Sequence, residues 1–128
     1  MKGKYKLALT LLVGIALGAA AIQGLHAQAK PKAYLITETE ILDAAALAAY
    51  TPLVRAALKA AGGRLLALPE GKTVALVGEA PKRVGITEWD SVEQAQAFRN
   101  SEAYKNLAMQ RDKALKSIRT YVKEAAAN

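Results

Sequence analysis

Cysteine is absent from all 128 residues, and the only histidine is His26. No disulfide can staple this chain, no lipid can be attached through a thiol, and stability has to come from packing. Aromatic side chains are few, with one Trp, one Phe and five Tyr. No run of Lys or Arg is interleaved with them, and the basic residues beyond residue 30 are scattered, so no nucleic-acid surface is expected despite the net charge of +7. A glycine-rich phosphate loop is missing as well, since Gly62-Gly63 reads as the end of a helix.

What is present begins with a leader. Lys2, Lys4 and Lys6 precede an apolar run from Leu7 to Ile22 in which Thr10 is the only polar side chain, the charged and hydrophobic regions of a signal peptide. Ala27-Gln28-Ala29 offers the small residues a signal peptidase needs, with cleavage expected before Lys30. Retained instead, the run would be a membrane anchor, for which it is short of the roughly 20 apolar residues of a span. The expected organisation is thus a signal peptide over residues 1–29 and one domain over residues 30–128, periplasmic or secreted, meeting a membrane only through an uncleaved leader. Loss of the leader removes three of the 18 basic residues and leaves 15 against 11 acidic ones, a net +4. It also removes His26. A domain with neither His nor Cys has no Ser-His-Asp or Cys-His nucleophile, no histidine-based zinc site and no histidine-ligated haem. No metal and no cofactor are expected.

From Lys32 the chain alternates as a strand does, with Tyr34, Ile36, Glu38 and Glu40 on one face and Ala33, Leu35, Thr37 and Thr39 on the other. Asp43 can cap the alanine-rich segment that follows, where Leu47, Tyr50, Val54, Leu58 and Ala61 form a helical stripe. Pro52 lacks an N–H, which predicts a break or kink near Tyr50 and a restart at Pro52. A second strand is expected over Arg64–Leu68, then a turn at Pro69-Glu70-Gly71-Lys72 and a further extended segment, Thr73–Val77. Arg83–Trp89 repeats the first strand, with Val84, Ile86 and Glu88 matching Tyr34, Ile36 and Glu38. Ser91-Val92-Glu93-Gln94 has the form of a capping box. Asn100-Ser101 interrupts the helix it starts, and Ser101 caps a second piece carrying Tyr104, Leu107, Ala108, Arg111 and Leu115 on one side. A last strand spans Ser117–Val122.

The order β-α-β-β-α-β, with a hairpin extension, is an α+β fold of the ferredoxin-like split βαβ kind. Its first and third strands are central neighbours. Two helices cover one face of such a sheet. The other face, apolar in several strands, calls for a cover, and a homodimer is expected to supply it.

Five segments carry a resemblance: Lys32 to Glu38, Ala60 to Arg64, Gly78 to Val84, Ile86 to Ser91, and Ala97 to Tyr104 with Arg111 beyond. In that order they resemble the domain of unknown function 1330, within the dimeric α+β barrel superfamily. The resemblance covers about Lys32 to Val122 and implies a ferredoxin-like protomer whose sheet pairs with a second sheet. It implies no reaction, although the superfamily includes cofactor-free monooxygenases, muconolactone isomerase and chlorite-dismutase-like haem proteins. The leader and Gly85, inside a strand, depart from the usual pattern; the glycine marks a bulge or a close approach of backbone or ligand.

Carboxylates, tyrosines and arginines are left to do chemistry. Glu38 and Glu88, on one face of adjacent strands, are expected near each other, where mutual repulsion would raise one pKa towards that of a proton-transfer catalyst. Arg64 and Arg111 would then hold an anion. Alternatively, the two glutamates are solvated or paired with Arg64, Arg83 or Arg111, and the domain binds a small organic ligand or a partner without catalysis. Tyr34, Arg64, Arg83, Tyr104 and Arg111 are the candidate ligand-binding residues in that case. Tyr34 and Tyr104 also read as core or interface aromatics, and Trp89 as part of a dimer seam.

Overall fold

The alternation read from Lys32 becomes strand β1, Ala33–Ile41, in a computed structural model that describes residues 30–127. The expected signal segment, residues 1–29, lies outside the described residues. Among those described, no helix is long and apolar enough to cross a membrane.

Asp43 caps helix α1, Ala44–Ala60, by accepting a 2.9 Å bond from the Ala46 N–H. Of the break or kink expected at Pro52, the break does not occur. One helix runs through the proline, because losing a single backbone donor is tolerable where the turns on both sides pack. Thr51, just before the proline, donates its hydroxyl to the Leu47 carbonyl at 2.8 Å. Gly62, at φ +92°, ends the helix as the sequence suggests. Gly63 is needed for a different reason: a Cβ there would lie 2.7 Å from Cζ2 of Trp89.

Strand β2 is Arg64–Ala67 and β3 is Arg83–Trp89. The extended segment expected at Thr73–Val77 is not a strand, so the hairpin extension is absent. A strand needs a ladder partner, and none of the four strands pairs with these residues. Leu76 and Val77 instead stand almost wholly in solvent.

Helix α2, Val92–Asn100, is capped by Ser91, whose Oγ accepts from the Gln94 N–H at 3.1 Å. The reciprocal bond of the box is displaced by one residue, with Gln94 Oε1 accepting from the Asp90 N–H at 2.7 Å. Ser101 caps the short α3, Glu102–Lys105, as expected. The rest of that piece is a separate helix, α4, Ala108–Ala114. Leu115 already belongs to strand β4, Leu115–Glu124, which is longer than the sequence suggests at both ends because both ends pair with β1; Ile118 alone falls at a bulge in that ladder.

The four strands form one antiparallel sheet in the order β2-β3-β1-β4. With the helices this makes a mixed α+β fold in the expected split βαβ order, β1 and β3 central. Leu35, Trp89, Ala95, Phe98 and Tyr104 form the core between sheet and helices, extended by Val54 and Leu58 of α1. Trp89, expected at a dimer seam, is fully buried here, stacked on Phe98 at 4.9 Å and donating its indole N–H to Thr87 at 2.8 Å. Gly85 introduces no register shift into β1·β3. It admits the Pro69 ring, which a Cβ would meet at 2.9 Å.

Candidate functional site

Strand alternation turns Leu35, Thr37 and Thr39 of β1 and Arg83, Gly85 and Thr87 of β3 toward the helices. Apolar residues would normally fill such a row. Three threonines and an arginine do not pack to a close, and a cavity of about 130 Å³ remains between sheet and helices. From α1 come Tyr50, Val54 and Leu58; from α2, Phe98 and Arg99; from α3 and α4, Tyr104 and Arg111. None of the chain's Asp or Glu side chains lines it.

Tyr104 organises the polar end. The Arg99 guanidinium donates to its hydroxyl, and the Arg99 and Arg111 guanidinium carbons lie 4.4 and 5.0 Å from its ring centroid. The ring also packs edge-on against Phe98 at 5.2 Å. Tyr50 belongs to the same group: burial, and secondarily Tyr104, push its hydroxyl pKa up to about 12, although Arg111 and Arg99 pull the other way. It is therefore a neutral hydroxyl at physiological pH. Burial works against the charge of Arg111, but Tyr104 and Asp112 outweigh it, and the net shift is upward. Arg83 donates to Thr39 at 3.2 Å, and burial lowers its pKa while leaving it a cation.

A wider open groove of about 940 Å³ runs along the start of α1, the turn at residues 69–71, and Lys82 and Arg83. Leu47, Thr51, Arg55, Pro69 and Arg83 line groove and cavity alike and so form the partition between them. Across that partition Glu70 accepts from Arg55 at 2.7 Å and stands 4.0 Å from Arg83. The Arg55 hydrogen bond is the main reason the Glu70 carboxyl titrates below its usual range.

Of the ligand-binding candidates, Arg83, Tyr104 and Arg111 meet in the cavity. Tyr34 and Arg64 do not; they lie on the opposite face of the sheet with both glutamates. Nor are Glu38 and Glu88 neighbours. Glu38 sits opposite Val84 and Glu88 opposite Tyr34, because antiparallel strands put their final residues at opposite ends of the ladder. Four positions separate them, roughly 13 Å at the ordinary strand rise. Glu38 is buried against Arg119, which grips both carboxylate oxygens. Glu88 accepts from Arg64 at 2.9 Å and from Lys32 at 3.3 Å, and Arg64 also holds Asp90 at 3.0 Å. The Arg64 hydrogen bond, helped by Lys32, lowers the Glu88 pKa against the opposing effect of burial, the reverse of the rise that two adjacent carboxylates would show.

Residues 32–125 match the family model of a domain of unknown function (DUF1330). The chain belongs to this family. Its fold is shared by the crystal structure of RPA0582, a protein of unknown function from Rhodopseudomonas palustris, at a TM-score of 0.62 and 18% identity over 77% of this chain and 85% of that one. The methylated RPA0582 protein gives a TM-score of 0.59 and 18% identity over 76% and 82% of the two chains. No curated protein matches. Within the family frame, Tyr50, Arg99 and the inward threonines are site residues that sequence reasoning did not single out.

Proposed function

We propose that this DUF1330 domain captures a small organic molecule in the cavity between sheet and helices, as an exported homodimer and without catalysing a reaction. The cavity lining carries this reading: hydroxyl and guanidinium donors face an interior space of about 130 Å³ that has no carboxylate, histidine or cysteine on its walls. Such a wall can hold and orient a ligand, but it has no group with a pKa suited to moving protons near neutrality. The alternative, an isomerase, lyase or oxygenase with Glu38 and Glu88 as acid and base, loses its geometric support, since both carboxylates are ion-paired on the far face of the sheet.

Two further observations support the assembly and the compartment. The far face carries Ile36, Val84 and Ile86, with half-exposed Tyr121 beside them, an apolar surface suited to a second sheet. The basic and apolar leader supports export.

The test is a thermal-shift screen of the purified protein against small organic acids, amides and alcohols, repeated on Thr37→Leu, which fills the cavity. At least one compound should raise the melting temperature of the native protein by several degrees and lose that effect in the variant. A flat response to the whole set would sink the proposal.

A further inference from the structure

Resting on that reading, we infer that the ligand is a small organic monocarboxylate, its charged end held by Arg99 and Arg111 beside the tyrosine hydroxyls and its apolar body lying against Leu35, Val54 and Phe98.

The argument starts from charge. Arg83, Arg99 and Arg111 all line the cavity, and the side chains of Arg83 and Arg111 are only 12% and 21% exposed. Guanidiniums brought this far from water lose solvation, and folded proteins usually restore the balance with carboxylates. Here that compensation is incomplete. All eleven Asp and Glu residues lie between Glu38 and Glu124, within the described part of the chain. None forms an ion pair with Arg99. Arg111 has only Asp112, its neighbour in sequence, at 3.2 Å, and that carboxylate is 71% exposed and turned to solvent rather than to the cavity. Arg83 reaches Glu70 only at 4.0 Å, a carboxylate that Arg55 already holds. The cavity is therefore a positive, partly desolvated space, and an anion would complete it.

The kind of anion follows from shape. Guanidinium groups present planar forks of donors that match a carboxylate edge to edge. Tyr50 and Tyr104 add hydroxyls at the same end, and the neutral Tyr50 hydroxyl can donate. Around the rest stand Leu35, Val54, Leu58, Phe98 and Leu115, which offer nothing to a fully polar ion such as phosphate but pack well against carbon. The volume sets the size: an engineered cavity of about 150 Å³ in another protein accepts benzene, so a ring, or a chain of a few carbons, is the largest body that fits here.

The experiment is calorimetric titration of the purified protein with acetate, butyrate and benzoate, with acetamide, butyramide and benzamide as matching neutral shapes, and with inorganic phosphate. Butyrate or benzoate is expected to bind at least tenfold more tightly than its amide. Arg99→Gln should abolish that preference, and Arg64→Gln, on the other face of the sheet, should keep it. Acids and amides binding equally would leave the ligand-capture reading standing and overturn the carboxylate assignment. Phosphate binding as tightly as the acids would overturn it also. If no acid and no amide binds, both readings fall. The comparison of acid with amide on the unaltered protein holds even if Arg99→Gln proves unstable.

Discussion

Tyr50 shows what one side chain can do in this cavity. Its hydroxyl titrates at about 12 in the folded chain against about 10 when exposed, chiefly through burial. Because the folded state holds this proton more tightly, the associated stability is whole below pH 10 and is lost as the pH climbs towards 12. Tyr50→Phe should therefore flatten the fall of melting temperature between pH 9.5 and 11.5, read by circular dichroism; an unchanged alkaline slope would show that other groups govern it. Gly63 is the opposite kind of residue, important for what it lacks. Gly63→Ala pushes a methyl into the fully buried Trp89 ring and should cost about 1–3 kcal/mol in a denaturant titration. At this scale the sequence was readable where a residue broke a pattern. Arg111 interrupts an apolar stripe and Tyr104 anchors one, and both reach the site. Thr37, Thr39 and Thr87 break no pattern, because threonine is an ordinary strand residue on either face. Arg99 breaks none either, because an arginine in the last turn of a helix is ordinary beside the helix carbonyls.

Between the elements, the Arg55–Glu70 ion pair joins α1 to the turn after β2 beside the residues that groove and cavity share. Both partners are about half in water, so the pair adds little stability. Glu70→Gln should change the unfolding free energy by less than about 1 kcal/mol. It should also speed carboxylate association severalfold, since it removes a negative charge from the rim of a positive cavity; stopped-flow mixing would read this, and an unaltered rate would exclude Glu70 from the path. Element boundaries were recoverable wherever a side chain made the boundary. Asp43, Ser91 and Ser101 each accept a backbone N–H at the helix start inferred for them. A boundary that a distant partner decides leaves no such mark in the sequence. Thr73–Val77 has strand composition and nothing to pair with, whereas Leu115–Lys116 and Lys123–Glu124 are drawn into β4 by β1. Pro52 is the third case, for a proline weakens a helix locally and the packing of Tyr50 and Val54 on either side holds it.

For the whole molecule, topology was the most readable property and separation along the sheet the least. The alternating order of strands and helices leads to β1 and β3 as central neighbours. That the same antiparallel pairing drives Glu38 and Glu88 apart follows from register, which a matching of strand patterns in sequence overlooks. The proposed assembly can be tested at this scale without disturbing the protomer. Tyr121 lies opposite Ile36 and is 50% exposed, so Tyr121→Asp should leave the circular dichroism spectrum intact while sedimentation equilibrium moves from twice the chain mass to one. A native protein already monomeric at micromolar concentration would refute the dimer.

The only tryptophan in the chain, Trp89, lies dry at the end of a row of rings that runs through Phe98 to Tyr104 at the cavity wall. Its fluorescence thus has a single origin and a blue-shifted baseline, and the nearby tyrosines can pass excitation to it. Occupancy of the proposed ligand cavity should therefore change the emission intensity, and a titration read at the Trp89 emission would test binding without attaching any dye.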